Sequence, residues 1–188
     1  CQFLSGETNL RNDEFGGSFR NRTRLLFQII DGIRARCSDD FIIGVRLSPE
    51  GVVKLEESVT LAQQLLLEEK IDFLDMSLWD VFKDPLEEVF KGRPLLSYFT
   101  RLNRRNVRLG VAGKIRTPAE VEMVMRENVD LALLGRAGIL HHDFPTRYFQ
   151  EKDFSPVKNP VTREYLLSEG VSKKFIAYLE SWPGFVAE

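Results

Sequence analysis

The stretch VRLGVAGKIRTPAEVEMVMRENVDLALLG, residues 107–135, decides the fold. It starts as an apolar strand over VRLGVAG and ends as another over VDLALLG. RTPAEVEMVMREN, between them, carries a complete helix start. Thr117 is placed to cap the first turn, Pro118 fits the first helical position, and Glu120 completes a T-x-x-E capping box. Two strands joined through a helix run parallel, because a parallel pair needs a crossover.

The same rhythm extends in both directions. Leu55, Val59, Ala62, Leu65 and Leu66 recur at helical spacing, and IDFLDMSLWD after them reads as a strand with acids near its end. A proline-containing loop then leads to a short helix in PLLSYFTRLN. Further upstream, DDFIIGVRLSPEG is a buried strand closed by Ser, Pro and Gly. Before it, Leu25, Leu26, Ile29, Ile30 and Ile33 predict an amphipathic helix from Phe19 to Arg36. Helical segments follow residue 135 to the end. Strands alternating with helices at this spacing predict a parallel α/β fold, with no internal sequence repeat and no low-complexity segment.

Composition narrows the class. The 188 residues are 43% hydrophobic and 11% aromatic, enough to bury a sizeable core. A net charge of -2 with 29% charged residues argues against nucleic acid or an anionic membrane surface as the main partner. No apolar run approaches the roughly 20 residues needed to span a bilayer, and no signal peptide is visible. Cys1 and Cys37 make no disulfide framework, so a reduced, cytoplasmic setting is expected. The first residue is Cys1 and not Met, which reads as a processed product or a fragment.

Ligands in parallel β/α folds bind at the carboxyl ends of the strands. The third and fourth expected strands end in AGK (Ala112, Gly113, Lys114) and GRAG (Gly135 to Gly138). Glycine there lets a ligand approach the backbone, and N–H groups at a helix start favour an anion. Arg136 adds a permanent charge with forked donors suited to phosphate. The alternative is that these glycines only turn the chain. Arg46 interrupts the apolar run FIIGVRL, where a buried cation needs a partner. That partner is either an acid such as Asp75 on the next strand or an electron-rich ligand atom.

The opening segment carries a far more specific signal. QFLSGETNLRNDEFGGSFRNRTRLLFQIIDGIR matches the pattern F-L-S-x-x-x-N-x-R-x-D-x-[YF]-G-G-S-x-x-N-R at nearly every fixed position. It resembles the old yellow enzyme family, the FMN-dependent NAD(P)H:flavin oxidoreductases. GVRLSP, GVAGKIRTPAEVE and LALLGRAGILHHDFP follow in the family's order and spacing, so the resemblance covers roughly Gln2 to Pro145. It implies a TIM barrel with FMN at the carboxyl ends of its strands. In the family the opening loop follows the fourth barrel strand. This chain would therefore hold strands five to eight, the carboxyl-terminal half of a TIM (β/α)8 barrel over residues 1–150, with a helical extension over 151–188.

The resemblance also implies roles. Arg46 would lie near the N1/O2 side of the isoalloxazine, and Gly113, Lys114, Gly135 and Arg136 would hold the FMN phosphate. Hydride would pass from NADH or NADPH to flavin N5 and then to the β-carbon of an electron-poor alkene. The family's H-x-x-[HN] pair, which binds the substrate's activating group, and its proton-donating Tyr lie upstream of the opening loop. The expectation is an oxidoreductase half that holds the flavin phosphate, lacks the substrate-activating residues and has no assigned catalytic residue.

Other features have plainer readings. His141, His142 and Asp143 form either a metal cluster or a solvated loop, and the solvated loop is expected, with no metal. RLNRRNVR reads as a solvated helix end or loop. Trp79 and Phe82 wall a substrate pocket, pack in the core or meet another subunit. Arg11, Asp13, Asn21 and Arg22 form a network that fixes the opening loop. Two open strand edges, with inward side chains among Ile43, Val45, Leu74, Met76, Leu109, Val111, Leu131 and Leu133, predict an apolar patch and a homo-oligomer. The competing functions are a non-catalytic half-barrel or assembly module without flavin, and another phosphate-binding barrel enzyme, such as an isomerase or aldolase, using Lys114 or Asp75.

Overall fold

The computed structural model describes residues 2–51, 53–151 and 153–187. Strands β1 (Gly44–Leu47), β2 (Phe73–Ser77), β3 (Arg108–Ala112) and β4 (Leu131–Leu133) form one parallel sheet in the order β1-β2-β3-β4. Helix α1 (Phe19–Arg34) precedes β1, α2 (Leu55–Glu68) joins β1 to β2, and the short α3 (Ser97–Thr100) lies between β2 and β3. Helix α4 (Pro118–Arg126) joins β3 to β4. Helices α5 (Arg136–Leu140), α6 (Phe144–Gln150), α7 (Arg163–Ser168) and α8 (Lys173–Leu179) follow. The parallel α/β expectation is met element by element. The chain divides into two compact units, one running to Gly113 and including Val124–Leu133, the other comprising Lys114–Met123 and the chain from Leu134 onward.

In the first unit, register sorts the side chains onto two faces. Val45 pairs with Leu74 and Leu47 with Met76, and the row continues to Leu109 and Val111; all six are buried. Leu74, Met76, Leu109 and Val111 are 0% exposed, and each such side chain stabilises the fold by about 1.5–3 kcal/mol. Helix α2 packs on β2 and buries Leu55, Leu61, Ala62, Leu65 and Leu66. Val59, expected in that stripe, is only half-buried, and Ser58 is buried in its place.

The opposite face carries Gly44, Arg46, Phe73, Asp75, Ser77, Gly110, Leu131 and Leu133. Of the side chains expected to form an apolar patch, only Leu131 and Leu133 lie on it. Pleat alternation puts Val45, Leu47, Leu74, Met76, Leu109 and Val111 on one face and the polar residues and glycines, together with Phe73, Leu131 and Leu133, on the other.

Two acids pin the strand starts by the same device. Asp72 Oδ2 accepts the Ile43 N–H at 2.7 Å and pairs with Arg34 at 2.7 Å. Asp130 Oδ2 accepts the Leu109 N–H at 2.7 Å and pairs with Arg104. Each acid stands one residue before its own strand and holds the preceding strand's start.

The opening loop is fixed by buried polar groups. Asn9 donates to the carbonyls of Phe3 and Phe15, both at 2.7 Å. Arg22 is 6% exposed; its guanidinium donates to Leu4 O and Gly17 O and pairs with Glu57 on α2. Arg11 pairs with Asp13, and Asn21 accepts from Arg24 at 3.0 Å. Of the expected network only the Arg11–Asp13 pair joins two of its members; Asn21 turns to Arg24, and Arg22 to Glu57 and backbone carbonyls. With Arg22 and Thr23 on the buried side of α1, Ile30 is the one fully buried aliphatic residue of that helix, and Ile29 stays half exposed.

The second unit is helical and has its own core. Leu140, Val161, Leu166, Ile176, Leu179 and Phe185 form one cluster, and Ala137, Phe144 and Phe154 another. Thr162 caps α7 and Ser172 caps α8 through their hydroxyl oxygens. The tail is tied back where Val161 donates to Phe185 O at 3.1 Å and Ala187 donates to Val161 O at 2.8 Å. Thr117 and Glu120 form the expected capping box reciprocally, at 3.2 and 2.9 Å. Among the described residues, no helix is long and apolar enough to cross a membrane.

Candidate functional site

On the open sheet face, Arg46 Nη1 lies 3.5 Å from Asp75 Oδ2 and its Nη2 donates to Ser77 Oγ at 2.9 Å. The acid of this pair is the buried member: the Asp75 side chain is 6% exposed and that of Arg46 58%. This inverts the sequence expectation, which buried the cation, because a long arginine reaches past the sheet surface to water. Asp75 Oδ1 is buried with no hydrogen-bond partner among the described residues. Burial pushes the Asp75 carboxyl up, against the pull of Arg46. The result is a cation presented at the strand ends, backed by a buried acid.

Gly113 and Gly135 have different surroundings. At Gly113, φ is +152°, and a side chain would begin 2.9 Å from Asp80 N and 3.0 Å from Trp79 C. The close approach there is made by the protein's own backbone, sealed where Val81 donates to Gly113 O at 3.2 Å and Leu78 to Ala112 O at 2.8 Å. Lys114 follows with φ of 52° and an exposed side chain. A Cβ at Gly135 would meet nothing within 4 Å, so its backbone faces open space.

In the second unit, Arg136 leaves Gly135 and enters a pocket of about 390 Å³ lined also by Arg116, Asn159, Ser181 and Trp182. No acid lines it among the described residues. The Arg136 guanidinium lies 5.3 Å from the centre of the Trp182 ring. Two arginines and no carboxylate among the described lining residues give this pocket a positive lining.

His141 is not in a solvated loop, as the sequence had suggested. It is 1% exposed, its Nε2 accepts the Val157 N–H at 2.9 Å, and burial lowers its pKa. His142 is exposed and pairs with Glu169 at 2.8 Å, which raises its pKa. Ligand atoms of His141, Asp143 and Glu169 lie within 4.8 Å of one another, but the Nε2 lone pair of His141 is already used. Trp79 is 77% exposed and Phe82 42%, which removes core packing from their alternatives. The sequence did not single out Glu50, whose buried carboxylate accepts from Lys83 Nζ and Leu86 N, both at 2.6 Å, and ties together the loops after β1 and β2.

Comparison with known proteins gives a consistent set of matches. The family model described as NADH:flavin oxidoreductase / NADH oxidase matches residues 1–153. An NADH:fumarate oxidoreductase of Klebsiella pneumoniae is 27% identical over 177 residues, 88% of this chain and 19% of the relative. An NADPH dehydrogenase of a Geobacillus species is 30% identical over 139 residues, 72% of this chain and 40% of the relative. Among solved structures, the old yellow enzyme homologue from Zymomonas mobilis superposes with a TM-score of 0.64 at 23% identity, covering 92% of this chain and 47% of that one. Morphinone reductase in complex with tetrahydroNAD superposes with a TM-score of 0.62 at 20% identity, covering 88% and 43%. The chain thus spans less than half the length of each of these proteins.

Proposed function

Because the chain belongs to the NADH:flavin oxidoreductase / NADH oxidase family, of the old yellow enzyme type, we propose that it forms the carboxyl-terminal half of an FMN-dependent NAD(P)H oxidoreductase barrel. In this reading β1 to β4 are barrel strands five to eight, residues 1–150 make the half-barrel and 151–188 the helical extension. The family match over residues 1–153 carries the proposal. The acid-free pocket of Arg136 and the open backbone at Gly135 support it, since both fit a phosphate dianion.

FMN, when bound, supplies the acceptor and donor of hydride between NADH or NADPH and an electron-poor alkene. The chain's own residues bind and orient it. Arg136, the Gly135 backbone and the Lys114 backbone take the phosphate, all three residues lying in the second unit. Arg46 is assigned to the electron-rich N1/O2 side of the ring, and Asp75 and Ser77 hold its guanidinium. His141 is enclosed, whereas His142 is exposed and paired with Glu169. With no residue assigned to activate the substrate, the 188-residue chain by itself is expected to be catalytically silent. The sheet ends at β1 and β4 are assigned to a second copy of the chain, making a homo-oligomer.

Arg136→Ala tests the assignment. Losing a charge-assisted contact worth about 1.5–3 kcal/mol should weaken FMN binding roughly 10- to 100-fold. Riboflavin, which has no phosphate, should bind equally well to both proteins. Equal losses for the two ligands would remove Arg136 from the phosphate site.

A further inference from the structure

The tail beyond the family match builds one wall of the arginine pocket. Ser181 and Trp182 line it from one side and Arg116, from the loop before α4, from another. We propose that Trp182 is a positioning residue for Arg136 and that Arg116 is a second anion-binding arginine, so that the tail and the loop before α4 complete a site for a phosphomonoester. This rests on the phosphate reading of Arg136 and extends it to residues outside the segment matched by the family, Trp182 above all.

The geometry supplies the reasons. The Arg136 guanidinium lies over the indole of Trp182 at 5.3 Å from the ring centre, within cation–π range, and a cation held over a ring face keeps N–H donors for phosphate oxygens. Trp182 is itself anchored. Its ring meets Phe185 edge-on at 5.4 Å and Tyr178 at 5.6 Å. Its backbone N–H donates to Leu179 O at 2.9 Å, and its carbonyl accepts from Phe185 at 3.1 Å. Phe185 is 2% exposed and belongs to the core of the unit. An arginine on an exposed surface is free to swing; against this ring it is pre-oriented, which lowers the ordering cost of binding. Arg116 supplies a second positive charge to the same lining, and two arginines in one lining without a carboxylate favour an anion there. Pocket and wall all lie within the second unit.

The test uses the whole chain with Trp79→Phe, which leaves Trp182 as its one tryptophan. Inorganic phosphate, FMN and riboflavin are titrated separately, with circular dichroism confirming the fold of each variant. Phosphate should change Trp182 emission saturably, and Arg116→Ala should abolish that change. Trp182→Leu should weaken FMN binding about 3- to 30-fold, with Trp182→Phe restoring most of it and riboflavin unaffected throughout. A merely structural tryptophan would move both flavins together and would not be rescued selectively. If FMN binds the parent and both Trp182→Leu and Arg116→Ala bind it equally well, the inference falls while the function stands. If FMN does not bind, the proposed function falls. A phosphate response lost in Arg116→Ala would then still support the pocket, and no response would sink it.

Discussion

Gly113→Ala and Gly135→Ala separate two glycines that look alike in sequence. At Gly113 a Cβ would begin 2.9 Å from Asp80 N, 3.0 Å from Trp79 C and 3.1 Å from Val81 N. All three are backbone atoms of one turn, held by the Val81 N–H to Gly113 O bond. No flexible side chain can yield, so the turn must shift. Overpacking of this kind costs about 1–3 kcal/mol, and a non-glycine residue held at φ of +152° adds roughly 1 kcal/mol. The sum, about 2–4 kcal/mol, should lower the melting temperature by roughly 5–15 °C for a chain of this length. Gly135→Ala meets nothing within 4 Å, so its stability should change by less than about 0.5 kcal/mol. Urea unfolding followed by circular dichroism measures both. A Gly113→Ala protein as stable as the parent would refute the steric reasoning, and a Gly135→Ala protein that is strongly destabilised would refute the claim of open space.

Asp75 and Asp72 should have opposite pH signatures. Burial raises the folded pKa of Asp75, so its contribution is full below the unfolded value of ~3.9 and is lost as pH rises through the folded value; Asp75→Asn should therefore gain on the parent as pH rises above ~3.9, and a flat difference would refute it. The Ile43 N–H and then Arg34 lower the folded pKa of Asp72, so its stabilisation is present above ~3.9 and lost as pH falls through the folded value. Asp72→Asn should accordingly lose most at neutral pH and least in acid. With FMN, NADPH and cyclohexenone, the isolated chain should show no turnover; a rate of about 1 per second or more would place a proton donor among these residues. Light scattering at micromolar concentration should show an oligomer, and a clean, cooperatively melting monomer would refute the assignment of the sheet ends to a second copy.

The sequence by itself determined the elements and the family. The capping box of Thr117 and Glu120, the strand runs and the helical stripe of α2 depend on residues a few positions apart, and local spacing records them. The opening pattern was legible for the same reason: its fixed positions Asn9, Arg11, Asp13 and Arg22 lie within one loop and the start of one helix. Tertiary structure alone decided which sheet face the helices cover, that Asp75 and not Arg46 is the buried partner, and that Arg22 closes on Glu57, 35 residues away. It also decided that Gly113 yields space to the protein's own turn while Gly135 faces open space, and that Trp182 returns to lie against Arg136. The physical reason is range. Turn and helix signals are set by neighbours along the chain, whereas burial, packing distance and charge partnership are set by neighbours in space, which the order of residues does not name until the strands and helices have packed.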